Sequence, residues 1–238
     1  MILLCIASVL AQVELYSMYK TKRALSLLGS FCGALLILSP WLFTGSPFFA
    51  LGIIIMLSFM LISSARLFLI KDPLSSLKDL SPVIIGFLYI PNLLLTQWHL
   101  RLHGYEWIIF LYGCVWASDS LAYFAGKSFG KRKLYREVSP NKTVAGAFGS
   151  VIGGTLSAYL LGNWLLIQGY NIKIPTLFLI GAAIGSVTIV GDLVESMFKR
   201  DAGVKDSGSL IPGHGGILDK IDGVLFAGPV LYWITLIL

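Results

Sequence analysis

The chain has 238 residues, of which 56% are hydrophobic and 13% charged, and carries a formal net charge of +6. A mean hydropathy of +0.82 is more apolar surface than a soluble core of this size can hide, so a soluble globular class is excluded and a polytopic membrane class is implied. The positive balance could suggest nucleic acid, but the placement of the basic residues explains it more simply.

Hydrocarbon about 30 Å thick takes about 20 apolar residues per helix. Eight stretches qualify or come close, near residues 1–18, 27–43, 47–65, 81–98, 106–125, 144–168, 175–197 and 221–238. The expected fold is therefore all-α, a polytopic integral membrane protein with about eight transmembrane helices. Sixteen of the eighteen Lys and Arg residues fall in the odd-numbered loops, leaving Arg101 and Lys173 for the even ones. Cytoplasmic loops are enriched in Lys and Arg, which places the odd loops in the cytoplasm and both termini on the opposite side. The surplus charge suits anionic membrane lipid, and no nucleic-acid partner is expected. Cys5, Cys32 and Cys114 each sit inside an apolar stretch, without disulfide or metal spacing. The first stretch lacks a basic leader and a small-residue cleavage site, so it reads as a retained helix.

Along the chain, Glu14 is an acid inside an apolar run and by that token a functional candidate. The plainer reading, an end-of-helix carboxylate near the basic loop Lys20 to Arg23, is favoured. Pro91 and Asn92 interrupt the fourth stretch as a kink. From Trp116 to Gly149 the chain reads WASDSLAYFAGKSFGKRKLYREVSPNKTVAGAFG. Asp119, Ser120 and Tyr123 share a helical face, and a carboxylate in lipid must be paired, protonated or bound to a cation. Ser139, Lys142 and Thr143, beside a Pro turn, offer hydroxyls and an amine to phosphate oxygens. Gly149 with Gly153, and Gly181 with Gly185, are spaced for close helix packing, within one protomer or across a homodimer.

The seventh stretch closes with Asp192, Glu195, Ser196 and Lys199, whose offsets keep them on one face. Beyond it, the segment Ser196 to Asp222, SMFKRDAGVKDSGSLIPGHGGILDKID, gathers four basic residues, four acids and a histidine in 27 positions. Its glycines let the backbone approach a ligand closely. Lys199, Arg200 and Lys205 can neutralise phosphate, while Asp219 and Asp222, three apart at a helix start, offer two hard oxygen ligands to one Mg2+. Metal-assisted chemistry on phosphates is the expectation.

This segment resembles the pattern of the phosphatidate cytidylyltransferase family through Ser196, Lys199, Arg200, Lys205, Asp206, His214, Gly215, Gly216, Asp219 and Asp222. The earlier segment resembles it through Asp119, Ala122, Tyr123, Gly126, Lys127, Gly130, Lys131, Ser139, Pro140, Lys142, Thr143 and Gly146. Two positions depart from the pattern: Lys220 stands where the family has Arg, keeping the charge but not the bidentate fork, and Ala145 replaces a Glu. The resemblance is strong from about residue 106 and weak before it, which divides the chain into N-terminal transmembrane helices, 1–105, and a catalytic transmembrane region, 106–238. Relative to the family, the chain looks shortened by one span at its start, with a loosely packed or differently oriented N-terminal part.

The resemblance implies transfer of CMP from CTP to phosphatidic acid, giving CDP-diacylglycerol and pyrophosphate. It implies a site on the cytoplasmic side of a bacterial inner membrane, at the ends of spans five, seven and eight. Asp192 and Asp219, followed by Asp222 and Asp119, are assigned to Mg2+, with room for a second cation. Lys199, Arg200, Lys205, Asp206, His214 and Asp222 are assigned to catalysis. His214, between glycines, is read as a phosphate hydrogen-bond donor or loop anchor before a base. Ser139, Lys142, Thr143, Ser196, Gly215, Gly216 and Lys220 are assigned to substrate. A polyprenol kinase using CTP is the nearer rival and an ion-coupled transporter the more distant one, although the chain has no internal repeat of the kind transporters use.

Overall fold

The structure, a computed structural model, describes residues 1–43, 47–170, 172–210, 213 and 215–238. Apolar stretches in lipid must satisfy every backbone amide internally, and the helix does so within one segment. The order is α1 (Ile2–Met18), α2 (Arg23–Leu42), α3 (Pro47–Leu69), α4 (Ser76–His103), α5 (Tyr105–Phe129), β1 (Lys133–Tyr135), β2 (Ser139–Thr143), α6 (Val144–Leu165), a single turn α7 (Ile167–Tyr170), α8 (Ile174–Asp201) and α9 (Leu218–Thr235). Helix α4 runs on through Pro82 and Pro91. The two strands form an antiparallel hairpin pairing Lys133 with Thr143 and Tyr135 with Ser139.

Each of the eight apolar stretches falls on a helix. Among the described residues, six segments are long and apolar enough to cross a membrane: Arg23–Leu42, Ala50–Leu69, Ser76–His103, Tyr105–Phe129, Val144–Leu165 and Ile174–Asp201. Helix α1 is shorter, at 17 residues, and α9 carries Asp219, Lys220 and Asp222 in its first two turns. Among the described residues six of the eight expected spans therefore meet the requirement by length and composition. Phe59, Met60, Phe68, Phe124, Leu160 and Leu179 all point outward, an apolar exterior that only lipid accommodates on this scale. The protein is an all-α integral membrane protein.

The chain forms two compact units: Met1–Leu95 with Ala202–Lys220, and Thr96–Asp201 with Ile221–Leu238. In the first, α1 packs on α2 and α2 on α3. The α1–α2 contact is tight. Gln12 Nε2 donates to Tyr16 Oη at 2.9 Å and to the Gly29 carbonyl at 3.3 Å, and Tyr16 Oη donates to the Val83 carbonyl at 3.2 Å. A buried polar group needs such partners, and these tie α1, α2 and α4 together where the sequence suggested loose packing. Arg66, counted above among the loop charges, is only 3% exposed. Its guanidinium is ion-paired with Asp79 at 2.9 Å and donates to the Ile70 carbonyl at 2.7 Å, fastening the α3–α4 connection.

In the second unit α6 packs between α5 and α8, and the core is built from Trp107, Phe110, Leu111, Cys114, Leu177, Ile180, Ile184 and Leu231, among others. Small residues set the spacing. A Cβ at Gly153 would lie 2.5 Å from the Ala117 carbonyl oxygen of α5, and one at Gly185 would lie 2.5 Å from the Ser150 carbonyl oxygen of α6. The small-residue pairs thus serve packing inside the protomer. Substituting Gly185→Val should force α8 from α6 at a cost of roughly 1–3 kcal/mol. The checking measurement is the thermal unfolding midpoint in detergent, with Gly52→Val, where nothing lies within 4 Å, expected to change it little.

Candidate active site

Helix α8 brings the charged face read from its sequence to a focus in the second unit. Gly191 allows this, because its missing side chain leaves room for the Asp222 carbonyl of α9, which would lie 2.5 Å from a Cβ there. With the two helices that close, Asp192, Glu195 and Asp222 each offer a carboxylate oxygen within 4.8 Å of the others. Three hard oxygen donors so grouped fit Mg2+, which takes carboxylates and substrate phosphates together. The fit includes Glu195, three residues from Asp192. That offset was visible in the sequence, yet Glu195 was not singled out as a ligand.

Two cations hold the cluster in check. Lys142 Nζ lies 2.5 Å from Asp192 Oδ2, and Lys199 Nζ lies 2.5 Å from Glu195 Oε2 one turn along α8. Glu195 is fully buried, and a buried carboxylate without such a partner would be costly. Ser196 Oγ donates to Asp192 Oδ1 at 3.3 Å. Ser196 therefore orients the acid.

A cavity of about 570 Å3 opens beside the cluster, lined by Asp119, Tyr123, Lys127, Ser139, Lys142 and Asp192 among others. Asp119 thus faces the same space as Asp192, although it is outside the three-carboxylate group. The β1–β2 hairpin, unforeseen in an all-α reading, is what turns Ser139 and Lys142 toward this space. Thr143 also lines it, and as the N-cap of α6 its Oγ1 accepts from Gly146 N at 3.0 Å. Arg200 lies at the end of α8, where its Nε donates to the Val138 carbonyl at 3.2 Å.

The remaining sequence candidates lie in the first unit. Asp219 Oδ2 accepts from Gly216 N at 2.7 Å, from Ser207 N at 3.0 Å and from Ser207 Oγ at 2.8 Å. It shapes the loop that holds Gly215 and Gly216, and Gly215 takes a positive φ of 85°, which suits glycine. Lys205, Asp206 and Lys220 are exposed on this segment. His214 lies outside the described residues. Glu14, favoured above as a plain end-of-helix carboxylate near Lys20 to Arg23, instead receives Ile217 N and Leu218 N, each at 2.9 Å. The four leading amides of a helix have no internal partner, and here an acid from α1 satisfies two groups at the start of α9.

Carboxylates, lysines and a hydroxyl-bearing hairpin surround one cavity in a membrane protein, a set of groups suited to phosphate. The chain matches the cytidylyltransferase family across residues 1–238, and it belongs to that family. It is 48% identical over 130 residues to a phosphatidate cytidylyltransferase of Synechocystis sp., covering 55% of this chain and 43% of that protein. The enzyme of the same name from Haemophilus influenzae is 41% identical over 167 residues, covering 67% and 56% of the two chains. That of Staphylococcus saprophyticus is 38% identical over 177 residues, covering 74% and 64%. The matched stretch spans less than two thirds of each relative's length.

The double placement of Thr143 is open to test. Thr143→Ala should cost about 1 kcal/mol as a lost cap, while Thr143→Ser keeps the oxygen and most of the stability; thermal unfolding in detergent separates the two.

Proposed function

We propose that the protein is a phosphatidate cytidylyltransferase, joining CTP and phosphatidic acid to give CDP-diacylglycerol and pyrophosphate. One observation carries the reading: the Asp192, Glu195 and Asp222 group, already countered by Lys142 and Lys199, beside a cavity whose wall also holds Ser139 and Asp119. The family match supports the same chemistry.

In the reaction a phosphate oxygen of phosphatidic acid forms a bond to the α-phosphorus of CTP, and the bond from that phosphorus to the bridging oxygen breaks. The electron pair leaves with pyrophosphate. A phosphate monoester is already a competent nucleophile near neutral pH, so no strong base is needed. The demand is electrostatic, because two anions must meet and a third must leave. Lys142 serves this by exchanging part of its contact with Asp192 for a phosphate oxygen entering the cavity, and Lys199 supplies positive charge from α8. Ser139 donates to the same phosphate. Asp192, Glu195 and Asp222 would hold Mg2+, which supplies neutralisation of the triphosphate, and a second cation is compatible with Asp119 nearby. Lys205 and Asp206 keep the catalytic roles, and Gly215, Gly216 and Lys220 the substrate roles, read from their motif.

The diacylglycerol tails stay in the bilayer, and the site faces the cytoplasm of a bacterial inner membrane, where CTP is. A homodimer would have to use surfaces other than the glycines already packed inside the protomer.

Purified full-length chain in detergent, given Mg2+, phosphatidic acid and CTP labelled at the α-phosphate, should move label into lipid. Asp222→Asn should lower the rate by roughly 100-fold or more. Folded wild-type protein that transfers no α-label would overturn the reading, and γ-label appearing in a polyprenol instead would mark a kinase.

A further inference from the structure

We infer that Glu14 is a positioning residue for the reaction, holding Ser207 and Gly208 together with Gly216 to Leu218 in their working arrangement; this rests on the cytidylyltransferase reading above. The observation is that Ser207, Ile217 and Leu218 converge on one carboxylate nearly two hundred residues away in sequence. Glu14 Oε1 accepts from Ile217 N at 2.9 Å, and Oε2 accepts from Leu218 N at 2.9 Å and lies 3.2 Å from Ser207 Oγ. Ser207, 4% exposed, places its single hydroxyl proton between Glu14 and Asp219, and its own amide donates to Asp219. The glycines close the fit. A Cβ at Gly208 would lie 3.0 Å from Glu14 Oε1, and one at Gly216 would run into Glu14 Oε2 and Ser207 Oγ. Ser207 and Gly208 on one side and Gly216 to Leu218 on the other therefore fit against the Glu14 side chain, and Lys205 with Asp206 lies immediately before the first of these.

Chemistry makes the carboxylate hard to replace. Both of its oxygens receive backbone N–H groups, so the amide of a glutamine would turn an NH2 against one of them, leaving a donor facing a donor. Charge matters as well, since an anion at the start of α9 is favoured by the helix dipole. Lys20 to Arg23, the partner expected from sequence, does not enter this set of bonds.

The test compares wild type, Glu14→Gln and Ser207→Ala as full-length protein in detergent, by amide hydrogen exchange and by steady-state kinetics with CTP and phosphatidic acid. Wild type should protect the Ser207, Ile217 and Leu218 amides. Glu14→Gln should speed their exchange while leaving α5, α6 and α8 protected, and should lower kcat roughly 10- to 100-fold with KM for CTP changed far less, as loss of a supporting contact does. Ser207→Ala, which cuts only the hydroxyl link, should show the same pattern in smaller measure and serves alone if the first variant unfolds. Faster local exchange with kcat unchanged would reduce Glu14 to a structural cap and overturn the proposal, as would unchanged exchange at these amides. If wild type itself transfers no cytidylyl group, the functional reading fails, and the exchange result alone decides whether Glu14 holds these residues.

Discussion

The structure depends on pairing carboxylates inside helices that are otherwise apolar. Removing a charge from water costs several kcal/mol unless a partner and hydrogen bonds replace the solvent. In α8 the answer is local: Glu195 meets Lys199 one turn away, while Asp192 meets Lys142 from the hairpin strand β2. Each pair is a store of opposite charges that an incoming phosphate or cation can re-partition. Paired charges of this kind suit the anionic substrates proposed above.

Close helix approach makes that pairing feasible. Gly191 admits the backbone of α9, so Asp222 can join Asp192 and Glu195. Gly153 and Gly185 do the same for α5, α6 and α8. In lipid, where apolar side chains gain nothing by leaving water, contact between backbones and small residues does much of the work of association. Helix α8 thus uses Gly185 to meet α6 and Gly191 to meet α9 beside the carboxylate group, and a larger residue at either position would disturb the packing there.

The first unit handles its acids differently. Asp219 and Glu14 are engaged by backbone amides and the Ser207 hydroxyl, and they spend their charge on shaping a glycine-containing segment. Arg66 is likewise consumed by carbonyls and Asp79 rather than by lipid headgroups. Charge counted along a sequence does not reveal whether it is displayed or used internally. The count of basic residues per loop therefore overstated, by this arginine, the charge available at the membrane surface.

Much was legible in the chain itself. Apolar run length dictates helices because lipid offers no other partner for the backbone, so all eight stretches are helical, and the offsets of Asp192, Glu195, Ser196 and Lys199 ensure a shared face whatever surrounds them. The charge-dense segment after residue 196 raised the expectation of phosphate chemistry through the spacing of its acids, bases and glycines. Tertiary structure decided the partners. Which carboxylates gather depends on the approach of α9 to Gly191, which brings Asp222 to the Asp192 and Glu195 already paired along α8, while Ser207 and Gly216 bind Asp219 into its own loop. Glu14 shows the limit most clearly, for its partners lie 193 to 204 positions away. Helical periodicity carries information over a few turns only, and contacts at that separation exist only once the chain has folded.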